Sequence, residues 1–308
     1  MAGLMGETLF LAHRIPFPPD RGDKIRSCHL LRALAALGPV HVATFAETDA
    51  DLAAELALAE VSASHLLVHR TVSNVRAGLR ALASGLPLSL AAFASEDIAL
   101  YVSRLLVTRP IATIVVFSGQ MAQFIPADFA GRVIMDFVDM DSAKFAAYAQ
   151  QSRGPMRAIH AREARLLGAF EQQIARRASV STFVSQAEAA LFREGLNDPL
   201  VRIEALGNGI DTLFYDPEGV APAPYAETAG PHLVFTGQMD YPPNVEAVAS
   251  FAREVLPVVR AAHGDAQFHI VGRNPASEVK VLASLSGINV VGEVADIRPW
   301  IASADVIV

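Results

Sequence analysis

Several short stretches of this chain carry residues whose types and spacing suit the binding of anions. His13 to Arg26, H-R-I-P-F-P-P-D-R-G-D-K-I-R, follows an apolar run of strand type. Gly22 lets a backbone approach a phosphate closely. Lys24 and Arg26 then fall in a first helical turn, where the helix dipole disfavours cations. An anionic ligand is one account of them, and a solvated loop is the other. Val133 to Ser142 sets Asp136, Asp139 and Asp141 at a strand end. Asp139-Met140-Asp141 has the D-x-D form in which carboxylates hold a divalent ion against a diphosphate. The same residues also suit the cap of a helix starting near Ser142, or a place beside an acceptor. Gly207 to Phe214, G-N-G-I-D-T-L-F, reads as a tight turn carrying Asn208. His232 to Asn244, H-L-V-F-T-G-Q-M-D-Y-P-P-N, reads as strand, turn at Gly237 and helix start at Pro242, with unpaired N–H groups aimed at the loop. In F-H-I-V-G-R-N-P, Phe268 to Pro275, Arg273 sits at a strand's C-terminal end, where it suits a diphosphate or a base. Asn289 to Trp300 repeats the strand-to-loop arrangement.

The elements that must hold these residues alternate almost throughout. Strand-type runs lie at Thr8–Ala12, Val40–Phe45, His65–His69, Ile111–Phe117, Arg132–Phe137, Val180–Val184 and Val201–Leu206. Helical patterns lie between them at Lys24–Leu37, Ala50–Ala59, Val75–Ser84, Glu96–Val107, Ala143–Gln150, Met156–Arg177 and Gln186–Glu194. Such alternation predicts an α/β fold with a parallel, doubly wound sheet. Asp216 to Pro231, with its prolines outside any periodic pattern, reads as a linker. The reading is therefore a domain over 1–215, a linker over 216–231 and a second domain over 232–308. That second domain holds Leu233–Phe235, Gln267–Val271, Ile288–Val291 and Asp305–Val308 as strands. It is small for a doubly wound domain and stops inside an apolar strand, so it is expected to be incomplete, the chain being a fragment of a longer protein.

Composition narrows the function classes. A hydrophobic share of 52% and a charged share of 19% suit buried cores and argue against disorder. A net charge of −7 argues against nucleic acid as a partner. Cys28 is the single cysteine, which leaves no disulfide framework or zinc cluster, and the N-terminus has no signal pattern. The expected place is the cytoplasm. The basic run around Arg157, Arg162, Arg165, Arg176 and Arg177 reads as a solvated face or as a peripheral contact with the inner-membrane surface.

Taken together, these residues resemble family 4 of the retaining glycosyltransferases, with the GT-B fold of two Rossmann-like domains facing a cleft. The resemblance runs through the Pro/Gly loop after the first strand, V-S-x-x-E at Val184 to Glu188 and G-N-G-I-D at Gly207 to Asp211. It continues through F-T-G-x-M-x-Y-x-P-N at Phe235 to Asn244, I-V-G-R at Ile270 to Arg273 and G-x-V-x-D at Gly292 to Asp296. The opening L-A-H-R-I-P-F-P-P-D-R-G-D-K-I-R-S and the D-F-V-D-M-D-S run look like a narrower group, the sugar transferases of exosortase (PEP-CTERM) and exopolysaccharide gene clusters. What the resemblance implies is transfer of a sugar from a nucleotide-sugar co-substrate to a saccharide or lipid-linked acceptor. The configuration would be retained, with no metal and no further cofactor. Donor contacts would come from Gly22, Lys24, Arg26, Gly237, Asn244, Arg273 and Val294. His13, Asp136, Asp139, Asp141 and Asn208 would lie on the acceptor side, with Asp139 the candidate for a catalytic role.

Three departures accompany the resemblance. Gln238 to Asn244 lacks the cations that many members carry there. The usual acceptor-side His is not evident. The Glu-rich motif expected after Val308 is missing, so weak donor binding and little catalysis are expected of this chain. A competing reading is a nucleotide-sugar epimerase, which would need a dinucleotide and a glycine fingerprint that His13 to Gly22 lacks. Another is a two-lobed sugar-binding protein without chemistry, a class that is usually exported.

Overall fold

The computed structural model describes residues 6–71, 78, 81 and 84–308. The helix expected over Val75–Ser84 lies, save for single positions, outside the described residues. Two compact units divide the chain, Met1–Gly209 and Ile210–Val308.

The first unit is built on seven parallel strands: β1 (Glu7–Ala12), β2 (Val40–Ala46), β3 (Ser64–His69), β4 (Ile111–Phe117), β5 (Arg132–Val138), β6 (Val180–Phe183) and β7 (Ile203–Ala205). Their order is β3-β2-β1-β4-β5-β6-β7. The chain winds outward from β1 to β3, then returns to β4 on the other side of β1. The switch point therefore lies between the ends of β1 and β4, where ligands of open α/β sheets bind. Side chains alternate across the sheet as the pleat requires. Leu9, Leu11, Ile114 and Val116 enter one core, while Phe10, Ala12, Val42, Val115 and Phe117 enter the other. Both faces are covered, which is why these strands read as unbroken apolar runs.

The second unit repeats the arrangement with β8 (His232–Thr236), β9 (Gln267–Val271), β10 (Ile288–Gly292) and β11 (Val306–Ile307), in the parallel order β10-β9-β8-β11. Leu233, Phe268 and Ile270 fill one core, and Val234 and Val271 the other.

Three segments differ from the sequence reading. The pattern over Ala50–Ala59 is two helices, Asp49–Ala53 and Glu55–Val61, broken at Ala54. The capping box of Thr48 and Asp51 starts the first of them. The helix after β8 runs over Pro242–Ser250, passes through a π turn at Phe251–Val255 and resumes at Leu256–Ala262. Pro257 explains the irregular turn, because it brings no N–H to the preceding carbonyls. Finally, the proline-rich segment, read as a linker, packs against the second unit. The unit boundary falls before it, at Gly209/Ile210. Ala223 and Tyr225 are buried, with the Ala223 N–H donating to Ser303 Oγ at 3.0 Å and Tyr225 Oη to the Trp300 carbonyl at 2.6 Å. Apolar side chains between the prolines give it something to bury, which a count of prolines conceals.

Candidate functional site

In the first unit, the C-terminal edge of the sheet gathers the ends of β1, β4 and β5. The loop after β1 leads into the helix Gly22–Ala35, whose N-cap Arg21 makes no side-chain cap bond. A Cβ built on Gly22 meets nothing within 4 Å, so the space beside that helix start is open. The two cations beyond it are turned inward. Lys24 is buried, with Nζ donating to Asp51 Oδ1 at 2.5 Å and to the Phe17 carbonyl at 3.3 Å. Arg26 is buried against Asp136, with Nε to Oδ2 at 2.8 Å and Nη2 to Oδ1 at 3.1 Å. Its Nη1 donates to the Leu206 carbonyl at 2.8 Å and to Asn208 Oδ1 at 3.0 Å. One guanidinium thus ties the first helix to β5 and to the turn after β7. Asp136 also accepts from Thr182 Oγ1 at 3.0 Å, so its oxygens are committed within the protein.

The charges that line this edge come instead from residues the sequence reading passed over. Arg14 binds Asp23 and lies 2.6 Å from Glu47 Oε2. Glu47 in turn binds Arg70, and Asp23 receives Arg21 Nε at 2.8 Å. Burial would raise the Asp23 carboxyl, but His13, Arg14 and Arg21 overcome it and hold it well below the usual carboxylate range. His13 stacks on Phe117 with centroids 5.7 Å apart, and its Nε2 lies 3.4 Å from Asp23. Burial pushes this imidazole below its ordinary value, so it stands neutral at physiological pH. Next to it, Ser118 at the end of β4 has φ 77°, and Val138 at the end of β5 has φ 71°. Positive φ is costly for a β-branched residue and collects at functional edges. No residue-type signal could have revealed either strained position.

Beyond Val138, Asp139 is exposed and Asp141 opens the helix Asp141–Gln151. Burial raises the Asp141 carboxyl, opposed by Lys144 and reinforced by Asp139. Among the described residues, no group of three His, Cys, Asp or Glu side chains is arranged to hold a metal ion. Glu188 completes the turn. Its N–H donates to Ser185 Oγ at 3.2 Å, and its carboxylate accepts the Met140 N–H at 3.1 Å rather than closing a capping box.

In the second unit the corresponding edge is built on close backbone packing. A Cβ on Gly272 would stand 1.7 Å from the Gly237 carbonyl oxygen, and a Cβ on Gly237 would stand 2.7 Å from Asn244 Nδ2. The loops are stitched by Gly237 N to Val271 O at 3.1 Å, Met239 N to Arg273 O at 2.9 Å and Gly272 N to Gly292 O at 2.8 Å. Asn244 Nδ2 donates to the Gln238 carbonyl at 3.0 Å, so this side chain holds the loop after β8. Gly292 has φ 84° and open space at its Cβ. Val294 packs on the cluster of Tyr225, Val234 and Val271, and Arg273 is half-buried at the end of β9.

Residues 230–308, which carry this second edge, match the family "Glycosyl transferases group 1". Among curated proteins none matches the chain. Solved structures share the fold. The chain is similar to HepE from Anabaena, determined in complex with UDP-glucose, at 14% identity and TM-score 0.57, over 98% of this chain and 73% of that one. It is similar to an E. coli protein described as trehalose-6-phosphate, bound with UDP-2-fluoro glucose, at 10% identity and TM-score 0.58, over 98% and 77%. A putative UDP-N-acetylglucosamine 2-epimerase from Listeria monocytogenes is similar at 12% identity and TM-score 0.54, over 96% and 70%. At such identities the likeness defines the fold, which is mixed α/β with parallel sheets in two Rossmann-like units, of the GT-B type.

Proposed function

We propose that the protein is a glycosyltransferase that moves a sugar from a nucleotide-sugar donor to a saccharide or lipid-linked acceptor, with retention and without a metal, in exopolysaccharide synthesis. One observation carries the reading: the group 1 glycosyltransferase match falls on the very strands whose glycine-lined edge the second unit presents. Gly237 and Gly272 let the loops after β8 and β9 pack backbone to backbone, and Gly292 leaves open space beside them, which suits the approach of a diphosphate. Arg273 supplies the cation at that edge, while Asn244 and Val294 hold the neighbouring loops in place. In the first unit, the open N–H groups at Gly22 suit a phosphate, and Lys24 and Arg26 support that helix from beneath. His13, Asp139 and Asp141 face acceptor chemistry, and Asp136 with Asn208 shapes the same edge through Arg26. As the sugar–phosphate bond breaks, charge develops on the leaving diphosphate, and preorganised donors such as these would stabilise it.

An epimerase shares the fold, so fold likeness does not separate the two activities, whereas the family match favours transfer. Calorimetry with UDP- and GDP-sugars, with product analysis for transfer against epimerisation and an arm in EDTA, tests the reading. Tight binding of NAD with no response to any nucleotide sugar would overturn it, as would a C2-epimerised sugar as sole product. Arg273→Ala is expected to lower kcat/KM by at least about tenfold, the loss of one charge-assisted contact to a phosphate. Unchanged kinetics would remove Arg273 from the site.

A further inference from the structure

The first two turns of the helix Pro155–Arg177 hold no buried residue. Residues 153–159 are exposed without interruption, including Met156 at 49% and Ile159 at 48%. Leu86, 45% exposed, lies alongside, because Arg162 Nη2 donates to its carbonyl at 3.2 Å. The charge on this helix is sorted. Both of its carboxylates, Glu163 and Glu171, are buried, the first capping Leu88 and Ser89 and the second bound to Ser142. Its exposed charges, Arg157, Arg165, Arg176 and Arg177, are all positive, on a protein of net charge −7. Arg176 lies 3.9 Å from Asp198, whereas at the tip Arg153 and Arg157 have no ion-pair partner among the described residues. No acidic residue occupies the first turn, and no side chain caps it.

A tip built for water alone would carry a Ser or Asp cap and polar residues. Here two cations stand at the positive end of the helix dipole, where each is disfavoured, and two large apolar side chains stand in solvent. Both oddities are relieved together by one kind of surface, an apolar layer under anionic headgroups. A protein partner would have to offer the same layering, acidic above apolar. Among the described residues no helix is long and apolar enough to cross a membrane.

We infer that this helix tip docks on an anionic lipid surface, with Met156 and Ile159 entering the acyl boundary and Arg153 and Arg157 on headgroup phosphates. The inference deepens the lipid-linked-acceptor reading of the proposed transferase, for which it supplies the contact surface. It is tested without transfer, so the two can fail separately.

The full chain is sedimented with vesicles of phosphatidylcholine alone and of an equimolar mixture with phosphatidylglycerol. Binding is expected on the mixed vesicles only, and it should weaken with salt. The paired variants M156S/I159S and R153E/R157E should each lower it at least about tenfold while leaving the melting temperature unchanged. L200S, at an exposed leucine elsewhere, should leave it unaltered. Absence of binding to the mixed vesicles overturns the inference, as does binding that the tip variants leave intact. A dimer that M156S/I159S splits, with no vesicle binding, would assign the tip to a second copy and overturn it equally.

Discussion

At the scale of single residues, the charges near Gly22 divide by where their side chains end. Lys24 and Arg26 stand within one helical turn, yet each ends on a buried carboxylate, Asp51 and Asp136. The residue types and their spacing were legible in the sequence, but their partners were not. Asp136 lies 110 residues from Arg26, and no local pattern links them. Gly22 separates structure from function cleanly. Its Cβ position is open, so Gly22→Val should melt as the parent does and lose transfer, because the new methyls stand where a phosphate would approach. Full activity in that variant would show the loop to be a connection only. Gly272 makes the opposite prediction. Its Cβ would fall on the Gly237 carbonyl, so Gly272→Ala should destabilise the second unit by a few kcal/mol in chemical denaturation, whatever its effect on chemistry. A stability equal to the parent's would show that the two loops separate easily.

At the scale of elements, the long helix Pro155–Arg177 holds the start of the helix Asp141–Gln151 from behind. Glu171 is buried and accepts the Ser142 N–H at 3.1 Å and Ser142 Oγ at 2.5 Å. Burial is the main cause that raises its carboxyl to about 7, with Asp141 adding to it and the Ser142 bonds opposing. The ordinary value is 4.5, so between 4.5 and about 7 the folded state holds a proton that the unfolded state has lost. Stability therefore falls as pH rises through that window and levels off above it. Glu171→Gln keeps a carbonyl for the Ser142 N–H and an amide for its hydroxyl without the charge. The variant should melt like the parent near pH 4.5 and above it at about pH 8. Equal melting at both values would show that the carboxylate is accommodated without cost. The helix itself was legible from its periodicity. That its two glutamates point inward was not, because 3.6-residue spacing shows a face but not what that face meets.

At the scale of the whole molecule, the two units repeat one winding. The second buries a histidine pair, with His232 Nδ1 and His269 Nε2 3.0 Å apart beneath Tyr225. Burial first, and then His232, lower His269 to about 4 from 6.5. Above 6.5 both folded and unfolded chains leave this ring neutral. As pH falls from 6.5 toward 4 the unfolded chain takes up a proton that the folded unit refuses, so stability is lost across that window. Trp300, the chain's single tryptophan, lies 6.0 Å from His269 and reports on this unit alone. Its fluorescence midpoint in denaturant should drop between about pH 6.5 and about pH 4, and His269→Gln should flatten the drop. An unchanged midpoint would mean that the pair takes up a proton without strain. The alternation of elements, the parallel sheets and the order of the motifs were determined by the sequence, because apolar periodicity and glycine placement are local properties. Which charges reach the edges was decided only in three dimensions. A buried ion pair such as Arg26–Asp136, a positive φ at Val138, and the close approach of Gly272 to Gly237 each depend on strands that the chain brings together from far apart.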